Sequence, residues 1–285
     1  ELQRLGVMEI ETSRMPSEGL EKMDTLEDRQ KFEKQASILD QALDVLQEYA
    51  PEKTSMLSSL EGKKLVERKI YQDVVSNRES ILDTAQHILL MKKKEAEAKA
   101  EIVKLLAQKE TLLPWLSLSV PMDYEGTKKT KVFIGSIGSV MTQEEVMAKI
   151  AEAAPDLTAC DVEIVSADKD QTCLTAICLR TEADLLEEAL RSAGFSRPAQ
   201  TITEIPAKEV EKIETRISEV GKEIADFGKE IQDQAGHREN LKTLSDYYRT
   251  RAQRYEVLGQ VPQTRNTFVI SGYIAKKNAA KLAEK

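Results

Sequence analysis

Histidine, cysteine and tryptophan are scarce in this sequence: two, three and one among 285 residues. Each scarcity removes a class of chemistry. His87 and His237 lack the further ligands that a zinc site wants, and both read as solvated flanks of helices. A serine or cysteine nucleophile would need one of these two as its base. No catalytic, cofactor-binding or metal-ligating residue is therefore assigned. Cys160, Cys173 and Cys178 have no metal spacing, and their odd number reads as reduced thiols of a cytosolic protein. Two of the three are expected in buried packing, and Cys173 and Cys178 point to opposite faces if they share a strand. No apolar run approaches the ~18–20 residues of a membrane span, and the charged start Glu1-Leu2-Gln3-Arg4 is not a signal peptide. Net positive charge is lacking too: the balance is −8, which argues against nucleic-acid binding. The sequence has no Walker motif. Gly135-Ser136-Ile137-Gly138 lacks the Gly-Lys-Ser/Thr that ends a phosphate loop, so it reads as a turn after a strand.

What is present is charge, 32% of residues against 5% aromatic, arranged around long apolar stripes. Over 206–258, the positions Val210, Ile213, Ile217, Val220, Ile224, Phe227, Ile231, Gln234, Arg238, Leu241, Ser245, Tyr248, Ala252 and Tyr255 alternate at intervals of three and four. That is the seam of a coiled coil. Pro206 suits a first helical position, and Gly259 with Pro262 stops the helix. At ~1.5 Å per residue it is on the order of 80 Å long. A second stripe runs from Val74 through Asn77, Ile81, Thr84, Ile88, Met91, Glu95, Ala98, Ile102, Leu105 and Lys109 to Leu112, in a helix expected to begin near Glu61 and to end at Pro114. A third, Phe32, Ala36, Leu39, Leu43, Leu46 and Ala50, is widened by Ile38, Ala42, Val45 and Tyr49, which suggests packing against two helices.

The two long stripes imply an antiparallel hairpin within one chain, and the isolated chain is expected to be a monomer. Facing residues should then have numbers summing to about 320. Lys109 falls near Glu211, Thr84 between Gln234 and Arg238, and Asn77 near Ser245. Glu95 must lean outward toward Lys222 or Lys229 or stay hydrated. The polar interruptions read first as register-setting layers, second as a compliant zone at 77–84 with 234–245.

Between the stripes the pattern changes. Lys131 to Ile134 is strand-like, Thr142 with Glu145 is a capping-box pattern, and strands at 162–166 and 172–180 precede a helix with the face Leu186, Ala189, Leu190 and Ala193. A last strand is expected at 201–203. The order is βαββαβ, ferredoxin-like, with both helices on one face of an antiparallel sheet. Residues 1–5 read as the end of a helix and 7–11 as a strand, so the chain reads as a cut-down piece. A strand at 267–274 is expected to pair with 7–11, with a helix from Lys276. The fold expected is an α+β dumbbell of two small α/β lobes joined by the coiled-coil hairpin. Its parts are 1–24 with 259–285, 25–127 with 206–258, and 128–205.

Leu112-Leu113-Pro114-Trp115 followed by Phe133-Ile134-Gly135 resembles the junction in subunit I (subunit a) of V/A-type rotary ATPases. Thr267-Phe268-Val269-Ile270-Ser271-Gly272-Tyr273-Ile274 resembles that family's strand ending in Gly-Trp-Val-Pro, with Tyr273 and Ala275 in place of Trp and Pro. Residues 1–10 resemble its first helix-to-strand passage. The resemblance covers nearly the whole chain in order and implies the cytoplasmic N-terminal domain of that subunit, at the cytoplasmic face of the membrane. It further implies a non-catalytic stator that links peripheral stalks to a membrane channel half C-terminal to this piece and resists rotor torque. Implied partners are the peripheral-stalk subunits and the central rotor-top subunit, with no cofactor and no nucleic acid. The family's ion-translocating arginine lies in the membrane half, so no residue here takes that role.

Other charged groups have plain readings. Lys92-Lys93-Lys94 and Lys128-Lys129 could attract an acidic partner or lipid headgroups, but read as a solvated helix face and a loop. Glu144-Glu145 and Glu187-Glu188 are neighbours on surface helices and do not face each other. A free-standing cytosolic coiled-coil scaffold or adapter is the alternative to the stator. A small-molecule regulator would need a defined apolar pocket with converging polar groups in 130–205.

Overall fold

The computed structural model describes residues 8–11, 20–52, 65–198, 202–264 and 267–279. In chain order its elements are β1 (Met8–Ile10), β2 (Glu21–Lys22), α1 (Leu26–Tyr49), α2 (Arg68–Ser76), α3 (Arg78–Leu112), β3 (Thr130–Ile137), α4 (Gln143–Ala153), β4 (Cys160–Ala167), β5 (Thr172–Leu179), α5 (Ala183–Ser192), β6 (Phe195–Ser196), α6 (Pro206–Asp233), α7 (Arg238–Gln260), β7 (Pro262–Gln263) and β8 (Gly272–Ile274). The fold is α+β, and the chain divides into two compact units, 1–95 with 226–285 and 96–225.

In the first unit α1 runs antiparallel to α7. Phe32 packs on the rings of Tyr248 and Tyr255, and further along Asp40 accepts hydrogen bonds from Ser245 and Arg249. The wide stripe of α1 is answered on both sides. Leu39 and Leu46 are fully buried with Ile88 of α3, Ile231 of α6, and Leu241 and Leu244 of α7. Burying each such side chain contributes roughly 1.5–3 kcal/mol.

The long helix expected to run unbroken through Asn77 is interrupted there. The backbone N–H and the side-chain amide of Asn77 both donate to the carbonyl of Asp73 at 3.0 Å, and α3 restarts at Arg78. Asparagine competes for backbone carbonyls in this way. Asn77 is exposed, so it is not a seam residue. The expected start near Glu61 lies outside the described residues, as does the passage over residues 1–7.

Strand β1 pairs antiparallel with β8, Met8 opposite Ile274, and β2 pairs with β7. The strand expected over 267–274 forms only from Gly272, with Phe268 held by an isolated bridge to Gln263. Lys276–Asn278 is a 3₁₀ turn, and the rest of the helix expected there lies outside the described residues from 280 onward.

The second unit carries a four-stranded antiparallel sheet in the order β4-β5-β3-β6, built from a βαββαβ run. The capping box at Thr142 and Glu145 is formed, and starts α4. Helices α4 and α5 cover one face: Val146, Ile150, Leu186 and Leu190 pack on Phe133, Ile137, Leu174 and Ala176. The opposite face is also covered. Ile134 and Cys173 meet Trp115, Leu118, Met122, Val210 and Ile213.

The last strand is not at 201–203. It is the two-residue β6, set against Ser136 and Ile137; Ile202 is half-buried against the opposite face, and Thr201 lies outside the described residues. The cause is Gly194, whose φ of 84° turns the chain back directly after α5, a conformation that favours glycine. In this unit α3 and α6 run antiparallel, with Lys109 bonded to Glu214 at 2.6 Å and Arg216 to Glu101 at 2.8 Å.

Candidate functional site

Among the described residues no group of three or more His, Cys, Asp or Glu could hold a metal ion. Gly135 lies within β3 rather than in a turn after the strand, and of the glycine pair it alone serves packing. A Cβ on Gly135 would strike the ring of Phe195 and the carbonyl of Ser196, whereas one on Gly138 would meet nothing within 4 Å. His87 lies 3.6 Å from Glu230 at the surface, and His237 is exposed at the end of a 3₁₀ turn, Gln234–His237. Glu145 is spent in the capping box, and Glu187 pairs with Arg197 at 3.2 Å. Lys128 and Lys129 are exposed in the loop before β3.

Cys173 and Cys178 lie on β5 and face opposite sides of the sheet, each buried in a different cluster. Burial pushes the Cys178 thiol up, with Glu182 adding to it; burial also raises Cys173. Neither is an activated thiol.

Three buried polar groups, Glu95, Arg238 and Ser245, lie in the first unit at seam positions where the sequence breaks its apolar rule. Arg238 is 5% exposed. Its guanidinium donates to the carbonyl of Leu46 at 3.0 Å, to the carbonyl of Ala50 and to the side chain of Gln47. It therefore caps the C-terminus of α1, whose last carbonyls have no partner within their own helix. Glu52 and Lys242 surround it: Lys242 bonds Glu52 at 2.8 Å, and that bond holds the Glu52 carboxyl below its ordinary value. Ser245 donates to Asp40 of α1 at 2.6 Å.

Glu95 does not lean outward toward Lys222 or Lys229. It is 5% exposed, accepts a hydrogen bond from Tyr49 at 2.5 Å and sits 3.3 Å from Lys92. Lys92 in turn reaches Glu48 at 2.7 Å and the Tyr49 hydroxyl at 2.8 Å. Burial opposes the Lys92 charge, but these partners outweigh it and raise its pKa. Lys92 is thus part of an α1–α3 lock rather than a solvated charge. The sequence marks each of these positions as polar, but contains no sign that α1 answers them.

A shallow cleft of about 200 Å³ lies beside β3, where Tyr124, Glu125, Lys131, Phe133 and Arg197 meet. Lys131 holds Glu125 at 2.8 Å, and the volume is below the ~300–1,000 Å³ of ligand pockets. No helix among the described residues is long and apolar enough to cross a membrane.

No protein-family model matches the chain, and no curated protein does. Among solved structures, the crystal structure of the cytoplasmic N-terminal domain of subunit I, homolog of subunit a, of V-ATPase is similar. The likeness covers 99% of this chain and 90% of that one, with a TM-score of 0.51 and 15% sequence identity. What the two have in common is the fold.

Proposed function

We propose that this chain is a non-catalytic stator element of a V/A-type rotary ATPase, the cytoplasmic N-terminal part of its subunit I. The observation that carries the proposal is the fold likeness over 99% of the chain. The geometry of the site supports it: buried polar groups in the first unit join helix to helix. A stator must resist bending under torque, and packed long helices with buried interhelical bonds have that property. The coiled-coil hairpin would carry load. The terminal and βαββαβ lobes, offering broad surfaces, would dock peripheral-stalk subunits, with the rotor-top subunit as a further contact. The dumbbell arrangement and its three-part division belong to this proposal, and small-angle scattering tests them. Crosslinking with mass spectrometry on an assembled complex is the direct test. Stalk crosslinks concentrated on the two lobes are expected. Stalk contacts chiefly along residues 85–100 would overturn docking through the lobes, and a chain that co-purifies with no ATPase subunit would overturn the stator reading in favour of a free-standing adapter.

A further inference from the structure

Cys160 begins β4 and is directly opposite Cys178 of β5 in the ladder register. The N–H of Arg180 donates to the carbonyl of Lys129 on the β3 side. Even-numbered residues of β5 therefore turn their backbone groups toward β3, and Cys178 faces Cys160 as a non-hydrogen-bonded pair. Such pairs bring their Cα atoms to about 4.5 Å with side chains close on one face. A disulfide needs Cα atoms about 4.4–6.8 Å apart. Cys160 is half-buried and packs against the same cluster that buries Cys178. Cys173 is on the other face of the sheet and cannot join them.

We propose that Cys160 and Cys178 are a cross-strand dithiol that a small disulfide such as oxidised glutathione converts to an intramolecular disulfide, tying the edge strand β4 to β5. The reagent needs to reach only Cys160, the more exposed thiol. Its thiolate attacks one glutathione sulfur, forming a mixed disulfide and releasing one glutathione thiolate. Cys178 then attacks the Cys160 sulfur and releases the second glutathione, and the two thiol protons end on the two glutathiones. Two electrons pass from the pair to the reagent. Burial, with Cys178 and Asp161 adding to it, pushes the Cys160 thiol up to about 11. The pair is therefore a slow recorder of oxidation rather than a fast sensor.

The test is to incubate the 285-residue chain with oxidised glutathione and count thiols after denaturation. Thiols should fall from three to one per chain, with one peptide pair joined through Cys160 and Cys178 and the chain still monomeric on a non-reducing gel. Cys173→Ser should keep the bond. Cys160→Ser and Cys178→Ser should each abolish it, and the half-buried Cys160 site keeps the test open if the Cys178 variant misfolds. Three thiols persisting while the unfolded chain oxidises would overturn the proposal. So would a bond that includes Cys173, or links formed only between two copies.

Discussion

At the scale of single residues, the groups that matter most are those sequence reading can only record as interruptions. Arg238→Met would keep much of the volume but leave the carbonyls of Leu46 and Ala50 without their donor. We expect a loss of about 3 kcal/mol in urea unfolding, the scale of a buried charged hydrogen-bonding group removed from its partners. Tyr49→Phe removes the donor to Glu95 and should cost about 1–2 kcal/mol. Glu52 sets a pH dependence. Lys242 lowers its folded pKa below the ordinary 4.5, so its contribution is fully present above that value and is lost as pH falls through the lowered one. Lys242→Met should flatten the fall of melting temperature with acid below about pH 4.5. An unchanged acid limb would show that the pair is too well solvated to count.

At the scale of elements, the 3–4 spacing identifies the seam positions but not the 3₁₀ turn Gln234–His237, which divides the single helix expected over 206–258 into α6 and α7. Positions such as Val220, Ile231 and Leu241 lie in the core, because a stripe at that period has no other use in water. The capping box and the two central strands were legible for the same local reason. What was not legible depends on residues far apart in the chain. Nothing near Arg238 or Ser245 indicates that α1, some 190 to 205 positions earlier, supplies their partners. The two-residue β6 is too short to show alternation, and the pattern points to 201–203 instead. The glycine pair gives a test at this scale. Gly135→Ala would force β6 off β3 and should destabilise the second unit by several kcal/mol or prevent its folding, whereas Gly138→Ala should stay within about 0.5 kcal/mol. Equal effects would restore the reading of 135–138 as a turn after a strand.

For the whole molecule, the seam positions of α6 and α7 are buried or half-buried within the chain itself. A second copy has no apolar stripe there to cover, so light scattering at micromolar concentration should report a monomer. A stable dimer would mean that these residues exchange partners between copies. The seam has one more consequence, for how this protein can change over generations. Val, Ile, Leu, Phe or Met will each do at most of its positions, since swaps that conserve volume usually cost less than about 1.5 kcal/mol. The outward positions between them need only be soluble. A helix under so loose a rule can replace most of its letters, one tolerated exchange at a time, and still close on the same neighbours. Two such chains can have few residues in common and still share a fold.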